Sequence, residues 1–431
     1  MSERLTAHRS APLVGTIDVP GDKSMSHRAL ILGGLAKGET RIEGLLEGED
    51  VLATASALQA LGVEVQRIGE GAWRVVGRAW TSPSGPVDCG NSGTGARLLM
   101  GAAAGFPISV TFTGDASLSR RPMGRVLDPL RSMGAKVEAA QGDRLPATIH
   151  GGDLHGIFFR NDKASAQVKS AILLAGLHAS GDVEVIEPKA SRDHTENMLR
   201  ASGVDVTTAG ESITLGERRA LIAVDVAIPG DPSSAAFPLV AALLCPGSTV
   251  ITRAVMLNPL RTGLFKTLLE MGAAIDYSNR RSVGGEEVAD IVARTSSLHG
   301  VTVPANRAPS MIDEYPILAV AAAFAQGTSV MHGLAELRVK ESDRLAAIIA
   351  GLTACGVVAR EEGDSLVIEG CGGPPRGGAT IDANHDHRLA MCFLVLGLAS
   401  DAPVTVDGAA TIATSFPTFV PLMTTLGASI A

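Results

Sequence analysis

Hydrophobic and polar positions follow one pattern that recurs six times along the chain. Each copy has a small polar residue, a helix-length apolar run rich in Ala and Leu, a turn led by Gly, and a short β-branched stretch. The copies are roughly 70 residues apart. They start at Ser24, Gly93, Ser165, Ser233, Asp313 and Asp386. Repetition at a fixed period predicts six structurally related units.

A second helix pattern alternates with the first. Segments such as ALQALGVEVQ and TLLEMGAAID are amphipathic, and each reaches a Gly before a strand-like stretch. The first pattern differs, because runs such as PLVAALL are apolar on every side and must be enclosed by protein. None of these runs has the length of a membrane span, so no membrane partner is expected. The chain is therefore expected to be a mixed α/β protein with twelve helices and buried cores.

The chain has 431 residues, which exceeds what one core usually supports, so we predict two domains of three repeats each. Nearly matching Pro-Gly-Asp turns occur at 20–22 and 229–231, each ahead of a helix start. Two ordinary capped turns would explain these tripeptides, but the repeat count favours a two-strand hinge. The predicted boundaries are 21–230 for one domain, 1–20 with 231–431 for the other, and 20–22 with 229–231 for the hinge.

Composition narrows the classes of function. Hydrophobic residues make up 45% of the chain and aromatic residues only 3%, so small residues must fill the core and helices can approach closely. The net charge of −8 offers no basic stripe, so nucleic acid is not an expected partner. MSERLTAHRS lacks the apolar stretch of a signal peptide, which predicts a cytoplasmic protein. The five cysteines lack CxxC spacing and HExxH is absent, so neither a disulfide framework nor a metal site is indicated.

Several cations lie near helix starts, where the helix dipole disfavours them. Lys23 and Arg28 flank the first start, and Arg97, Lys169 and Arg388 follow three others. A single instance would be explained by a solvated side chain. Four of the six starts share the feature, which favours bound anions, and phosphate or carboxylate groups fit best.

A charged segment, RVKESDR, lies between the fifth and sixth starts. If it opens a helix, Lys340 and Arg344 lie on one face, and a bound anion would offset their repulsion. Glu341 is either a surface ion-pair partner or a proton donor or acceptor beside that anion. Asp313 and Glu314, at the fifth start, could cap the helix and offset its dipole. Among cations, Asp313 would instead be well placed as a general base.

Specific motifs cover nearly all of the chain in order: PGDKSMSHRALILGGL, GNSGTGARL, GDASLSRRPMGR, SAQVKSAILLAGL, RVKESDRL and NHDHRLAMCF. Together they resemble the EPSP synthase family, the 3-phosphoshikimate 1-carboxyvinyltransferases, and GDASLSRRPMGR and RDHTE are similar to its class II branch. The resemblance implies a two-domain inside-out α/β barrel of six βαβαββ repeats, three per domain, with buried parallel helices. It implies transfer of the enolpyruvyl group of phosphoenolpyruvate to the 5-hydroxyl of shikimate 3-phosphate, in aromatic amino acid biosynthesis. It also implies a monomer that needs no metal or organic cofactor and is inhibited by glyphosate.

The resemblance assigns roles to individual residues. The expected contacts of shikimate 3-phosphate are Lys23, Ser24, Arg28, Ser165, Ala166, Gln167, Arg192, Asp313 and Lys340. The expected contacts of phosphoenolpyruvate are Lys23, Gly93, Arg121, Arg344 and Arg388. Asp313, Glu341 and Lys23 are the expected catalytic residues, with Asp313 and Glu341 as the acid–base pair. The domain 21–230 would then carry most contacts to shikimate 3-phosphate, and the other domain the acid–base pair.

The match departs from the family pattern at a few positions. Some relatives have a Lys shortly before a late TFP tripeptide, and the stretch 413–417 has none. Ala166 stands where many relatives have a second Ser, and Glu336 replaces a frequent Asn. Tolerant class II forms have Ala at the position of Gly93, so Gly93 predicts sensitivity to glyphosate.

Two other functions would fit part of this pattern. The sister enzyme that transfers enolpyruvyl to UDP-N-acetylglucosamine shares the architecture, but its loop has a reactive Cys, which is absent from 114–117 here. A phosphate-sensing repeat protein would need the cations but would have no use for Asp313 and Glu341. Release of phosphate from shikimate 3-phosphate and phosphoenolpyruvate would distinguish the three.

Overall fold

A computed structural model describes residues 4–431. The α-helices are Lys23–Leu35 (α1), Glu49–Ala60 (α2), Gly93–Ala104 (α3), Ala116–Arg120 (α4), Gly124–Ser132 (α5), Ala166–Gly176 (α6), His194–Ala201 (α7), Pro232–Leu244 (α8), Gly263–Glu270 (α9), Tyr315–Phe324 (α10), Arg344–Ala354 (α11), His387–Gly397 (α12) and Phe419–Thr425 (α13). Short 3-10 helices span Ala305–Ser310, Ala335–Val339 and Ala409–Thr414. The twelve predicted helices are present, and the five-residue α4 is additional.

The strands are short, as the β-branched stretches predict. They are Arg4–His8 (β1), Val14–Asp18 (β2), Gly38–Glu43 (β3), Glu64–Gly69 (β4), Ala72–Gly77 (β5), Val87–Asp88 (β6), Ser109–Thr113 (β7), Lys136–Ala140 (β8), Arg144–His150 (β9), His155–Arg160 (β10), Ser180–Ile186 (β11), Val206–Ala209 (β12), Ser212–Leu215 (β13), Val226–Ala227 (β14), Thr249–Met256 (β15), Ala274–Val283 (β16), Glu286–Arg294 (β17), Thr302–Val303 (β18), Gln326–Met331 (β19), Val358–Glu362 (β20), Ser365–Cys371 (β21), Thr380–Asp382 (β22), Val404–Asp407 (β23) and Ser429–Ile430 (β24).

The strands of residues 4–431 form six sheets of four strands each, and all six share one plan. In each sheet one edge pair is parallel and the other two pairs are antiparallel, as in β6-β7-β9-β8. The same plan holds in β18-β19-β21-β20, far along the chain. The six-fold repeat predicted from the hydrophobic pattern is therefore confirmed in the sheets as well as in the helices.

Each of the six apolar runs forms a helix within two residues of its predicted start. Every residue of α10 and α12 is buried, because neither helix has a polar face. Small residues allow close approach between helices: a Cβ atom at Gly101 of α3 would lie 2.6 Å from the Cα atom of Ala171 in α6. Buried helices of this kind confirm the mixed α/β fold class. None of the helices within 4–431 combines the length and apolar character needed to cross a bilayer.

The chain divides into two compact units. The continuous unit is Lys23–Ile228, and the split unit is Pro229–Ala431 together with the segment that ends at Asp22. Each contains three of the six sheets. Within the split unit, segments 20–22 and 229–231 lie side by side: Asp22 N donates to Pro229 O at 2.8 Å.

Candidate active site

One group of polar residues gathers at the start of α3 in the continuous unit. Arg97 donates from Nη1 to Gln167 Oε1 at 2.7 Å, and Arg121 donates from Nη2 to Asn91 Oδ1 at 2.5 Å. A Cβ atom at Gly93 would lie 3.0 Å from the Nη1 atoms of both arginines. We call Gly93, Arg97, Arg121 and Gln167 the Gly93 cluster.

The local sequence explains why these groups converge. Ser92 caps α3, since its Oγ accepts from Gly95 N at 3.0 Å, and Gly93 places no side chain between this turn and the guanidinium groups of Arg97 and Arg121. Arg97 and Arg121 are both buried beside that turn. N–H groups at a helix start and two guanidinium groups together favour a bound anion. Of the predicted residues, the structure brings together Gly93, Arg121 and Gln167, and it adds Arg97 and Asn91.

Two more predicted residues lie on α1. The Lys23 ammonium pairs with Asp50 on α2, and its side chain keeps 17% of its exposure. Arg28 is buried and donates to Thr195 Oγ1 at 2.6 Å and to Ser170 Oγ at 2.8 Å. Arg28 therefore connects α1 with α6 and α7, in addition to any role toward a ligand.

The run Ser165, Ala166 and Gln167 forms the start of α6. Asn161 fixes this start, because its Oδ1 accepts from Ser165 N at 3.3 Å and its Nδ2 donates to Ser165 O at 3.0 Å. All three residues of the run are partly exposed, as is Arg192 ahead of α7. These predicted phosphate contacts are thus on surfaces that a ligand can reach.

Lys169, one of the cations near helix starts, has partners within the protein itself. Its side chain is 2% exposed and pairs with Glu187 at 2.7 Å and with Glu196 at 2.6 Å. Two carboxylates of the protein itself therefore compensate this cation, and the interpretation that it binds a ligand anion is wrong. The sequence did not reveal this because both glutamates lie in later segments of the chain.

A second polar group forms in the split unit. Arg344 is 1% exposed and pairs with Asp386 at 2.7 Å, with Asp313 at 3.3 Å and with Glu341. Lys340 pairs with the same Asp313 oxygen, Oδ1, at 3.3 Å. The group also includes Arg388, whose Nη1 donates to the backbone oxygen of Asp313 at 3.3 Å. We call Asp313, Lys340, Glu341, Arg344 and Arg388 the Asp313 cluster.

Lys340 and Arg344 do not lie on one helix face, and the prediction that they do is wrong. The helix α11 begins only at Arg344, where Asp343 Oδ1 accepts from Ala346 N at 3.1 Å, and Lys340 lies ahead of it. The two cations meet at the Asp313 carboxylate instead. A tertiary contact between segments 31 residues apart produces this meeting, and spacing within one segment could not reveal it.

The capping role considered for the acidic pair at the start of α10 is also absent. Glu314 occupies the cap position without a side-chain hydrogen bond to the helix. Its carboxylate instead accepts from the Ser233 hydroxyl and lies 3.8 Å from Arg388 Nη1. Asp313 is directed to Lys340 and Arg344, which is the arrangement expected of a functional carboxylate rather than a helix cap.

Electrostatics hold the Asp313 cluster together. Burial alone would lower the pKa of Arg344, but Asp386, Glu341 and Asp313 outweigh it, and the pKa of the guanidinium is raised. Arg344 therefore stays charged and fixes both predicted acid–base carboxylates. Asp313 and Glu341 keep 14% and 16% of their side-chain exposure, so a substrate can reach them.

Sequence reasoning missed Asp386 as a site residue. This carboxylate is fully buried, pairs with Arg344, accepts from Ser342 Oγ at 3.1 Å and caps α12 by accepting from Arg388 N at 3.0 Å. It thereby positions two of the predicted anion-binding arginines. The signal was present, since Asp386 lies within the NHDHR motif, but it was interpreted only as the start of the sixth copy.

Comparisons with known proteins all identify the same family. A family model described as EPSP synthase (3-phosphoshikimate 1-carboxyvinyltransferase) matches residues 7–423. The chain is 58% identical to 3-phosphoshikimate 1-carboxyvinyltransferases from Methylorubrum populi, over 99% of this chain and 97% of that one, and from Caulobacter vibrioides, over 99% of each. Its structure is similar to an EPSP synthase from Acinetobacter baumannii, with a TM-score of 0.88 and 42% identity over 100% and 99% of the two chains. The enolpyruvyl transferase NikO from Streptomyces tendae shares the fold, with a TM-score of 0.79 at 21% identity over 100% and 99% of the two chains.

Proposed function

This chain belongs to the EPSP synthase family, and from that premise we propose how its residues divide the reaction. The reaction transfers the enolpyruvyl group of phosphoenolpyruvate to the 5-hydroxyl of shikimate 3-phosphate and releases phosphate, within aromatic amino acid biosynthesis. Both substrates carry several negative charges. Clusters of buried, fixed cations suit such ligands, because a fixed cation needs no reorganisation when charge develops.

The acid–base chemistry is assigned to the Asp313 cluster. Glu341 helps to protonate the methylene carbon of phosphoenolpyruvate. Asp313 accepts the proton of the 5-hydroxyl as the hydroxyl oxygen bonds to the carbon next to that methylene. The tetrahedral intermediate then loses phosphate and a methyl proton, which restores the double bond. The observation that carries this assignment is that one buried guanidinium, Arg344, holds both partly exposed carboxylates.

The remaining predicted residues bind and orient the substrates. Gly93, Arg121, Arg344, Arg388 and Lys23 would contact phosphoenolpyruvate. Shikimate 3-phosphate would contact Lys23, Ser24, Arg28, Ser165, Ala166, Gln167, Arg192, Asp313 and Lys340. Lys23 serves both substrates and stabilises charge in the intermediate. Monomeric state and cytoplasmic location stay predictions from the resemblance and the sequence.

An assay of phosphate release tests this function. The purified protein is mixed with shikimate 3-phosphate and phosphoenolpyruvate, and the enolpyruvyl product is identified by mass spectrometry. We expect stoichiometric phosphate and enolpyruvyl shikimate phosphate. Turnover with UDP-N-acetylglucosamine in place of shikimate 3-phosphate would indicate the sister enzyme, and phosphate binding without turnover would indicate a sensor.

We expect a methyl group at Gly93 to weaken inhibition by glyphosate. In a Gly93→Ala variant, the new methyl group would lie 3.0 Å from Arg97 and Arg121, so it crowds the space beside both guanidinium groups. Crowding of this kind costs about 1–3 kcal/mol, so the glyphosate concentration for half-inhibition should rise by about tenfold or more. Steady-state inhibition assays at fixed phosphoenolpyruvate measure this rise.

Gly85→Ala provides the matched control. A Cβ atom at Gly85 meets nothing within 4 Å, so inhibition of this variant should match that of the wild type. A Gly93→Ala protein that glyphosate inhibits as readily as the Gly85→Ala protein would contradict the assignment of Gly93 to this site.

A further inference from the structure

A buried ionic group in the continuous unit has no part in the chemistry proposed above. It consists of Lys169 on α6, Glu187 after β11 and Glu196 on α7, and each side chain is at most 3% exposed. Burial of charge is costly unless every charge is paired and hydrogen-bonded. Lys169 is shared between two carboxyl groups, and burial raises the pKa of one of them, Glu196.

Glu187 and Glu196 differ in their hydrogen-bond partners. Glu187 Oε1 accepts from Asn161 Nδ2 at 2.7 Å and from Ser191 Oγ at 2.6 Å, and its Oε2 accepts from Ser191 N at 3.2 Å. Glu196 pairs with Lys169 through Oε1, and its Oε2 has no hydrogen-bond partner within residues 4–431. Only Glu187 therefore connects the segments that contain Asn161 and Ser191.

The two stretches that Glu187 joins are those that carry predicted contacts to shikimate 3-phosphate. Asn161 binds both backbone groups of Ser165, the first residue of the phosphate-binding run. Ser191 directly precedes Arg192, which is the further predicted contact. Three hydrogen bonds from Asn161 and Ser191 to one buried carboxylate thus set the relative positions of the two loops.

We propose that Glu187 is a positioning residue for shikimate 3-phosphate: through Asn161 and Ser191 it holds Ser165 and Arg192 in their binding geometry. This inference rests on the proposed function and deepens it, because it names a residue that acts without touching the substrate. An uncompensated carboxylate behind a phosphate site would repel the ligand. Lys169 offsets that charge, which gives a reason for a buried lysine in the first turn of α6.

The test compares Glu187→Gln with Glu196→Gln. Both variants replace one buried carboxyl group that pairs with the same lysine, but only the first disturbs Asn161 and Ser191. We expect Glu187→Gln to weaken binding of shikimate 3-phosphate by about tenfold or more, since small displacements of binding groups are costly. Glu196→Gln should bind it as the wild type does. Calorimetry gives the affinity, and KM for each substrate with kcat shows whether the loss is confined to shikimate 3-phosphate.

A purely structural role would lower the unfolding midpoint of both variants and leave the affinity of the folded protein unchanged. Ser191→Ala covers the case in which Glu187→Gln does not fold, because it removes one hydrogen bond and no charge, and it should weaken binding by about threefold. Wild-type affinity in Glu187→Gln or, where that protein does not fold, in Ser191→Ala would overturn the proposal, as would equal losses in the two Gln variants. Absence of shikimate 3-phosphate binding in the wild type would instead contradict the proposed function.

Discussion

Replacing Asp313 with Ala should lower kcat by about 10²- to 10⁴-fold, the range that one general acid or base contributes. The variant loses the proposed acceptor of the 5-hydroxyl proton, and Lys340 and Arg344 lose the oxygen that they share. Binding of shikimate 3-phosphate should stay detectable, since most of its proposed contacts lie on α1 and α6. Phosphate release under saturating substrates measures the first effect, and calorimetry measures the second.

Asp343→Asn is the matched control for this variant. Asp343 is a carboxylate of the neighbouring RVKESDR segment that caps α11 and pairs with the partly exposed Arg338, and Asn caps a helix about as well as Asp. Its turnover should stay close to that of the wild type. Unchanged turnover in Asp313→Ala would refute the assignment of Asp313. A loss in Asp343→Asn as large as in Asp313→Ala would show that any change in this segment stops the reaction.

Replacing Arg344 with Met should be the most destabilising single substitution in the Asp313 cluster. Met fills a similar volume but leaves Asp386, Glu341 and Asp313 without the guanidinium that pairs with all three. Removing one partner of a buried charge group costs about 3–5 kcal/mol. Urea unfolding of the variant should show an earlier transition, and phosphate release should be lost in the protein that remains folded.

Arg360→Met tests whether this cost depends on burial. Arg360 also pairs with two carboxylates, Glu362 and Glu369, but its side chain is 47% exposed on the surface of its sheet. Water compensates exposed charges well, so its unfolding midpoint should change little. Equal shifts for the two arginine variants would contradict the view that Arg344 is held by buried charge pairs.

The sequence predicted the parts of the fold that depend on periodicity. Helices such as α10 and α12 have no polar face, so their burial follows from composition and from the apolar runs alone. The count of six units followed from repetition. The sheet plan, in which one parallel pair joins two antiparallel pairs, could not be read from strands as short as β6 and β14, which have two residues each.

For the candidate site, the sequence predicted many of the residues but not their ion-pair partners. The resemblance to a family assigned roles to residues of the Gly93 and Asp313 clusters. Residue spacing alone indicated only that anions bind near helix starts. Partners from distant segments were the main source of error: Lys169 was interpreted as a ligand-binding cation because Glu187 and Glu196 are remote in sequence. Long-range ion pairs leave no periodic trace in a single chain, so their recognition required the structure.

The pairing of β1 has a consequence for synthesis of the chain. Thr6 in β1 exchanges backbone hydrogen bonds with Ala431, at 2.7 and 2.9 Å, so β1 obtains these bonds only after residue 431 has been made. The continuous unit, by contrast, contains every strand of its three sheets, so it can fold before residues 229–431 have been made. We therefore expect a released fragment that ends at residue 228 to protect 23–228 from protease, while its residues 4–22 are cleaved, because the strands that pair with β1 and β2 are absent from it.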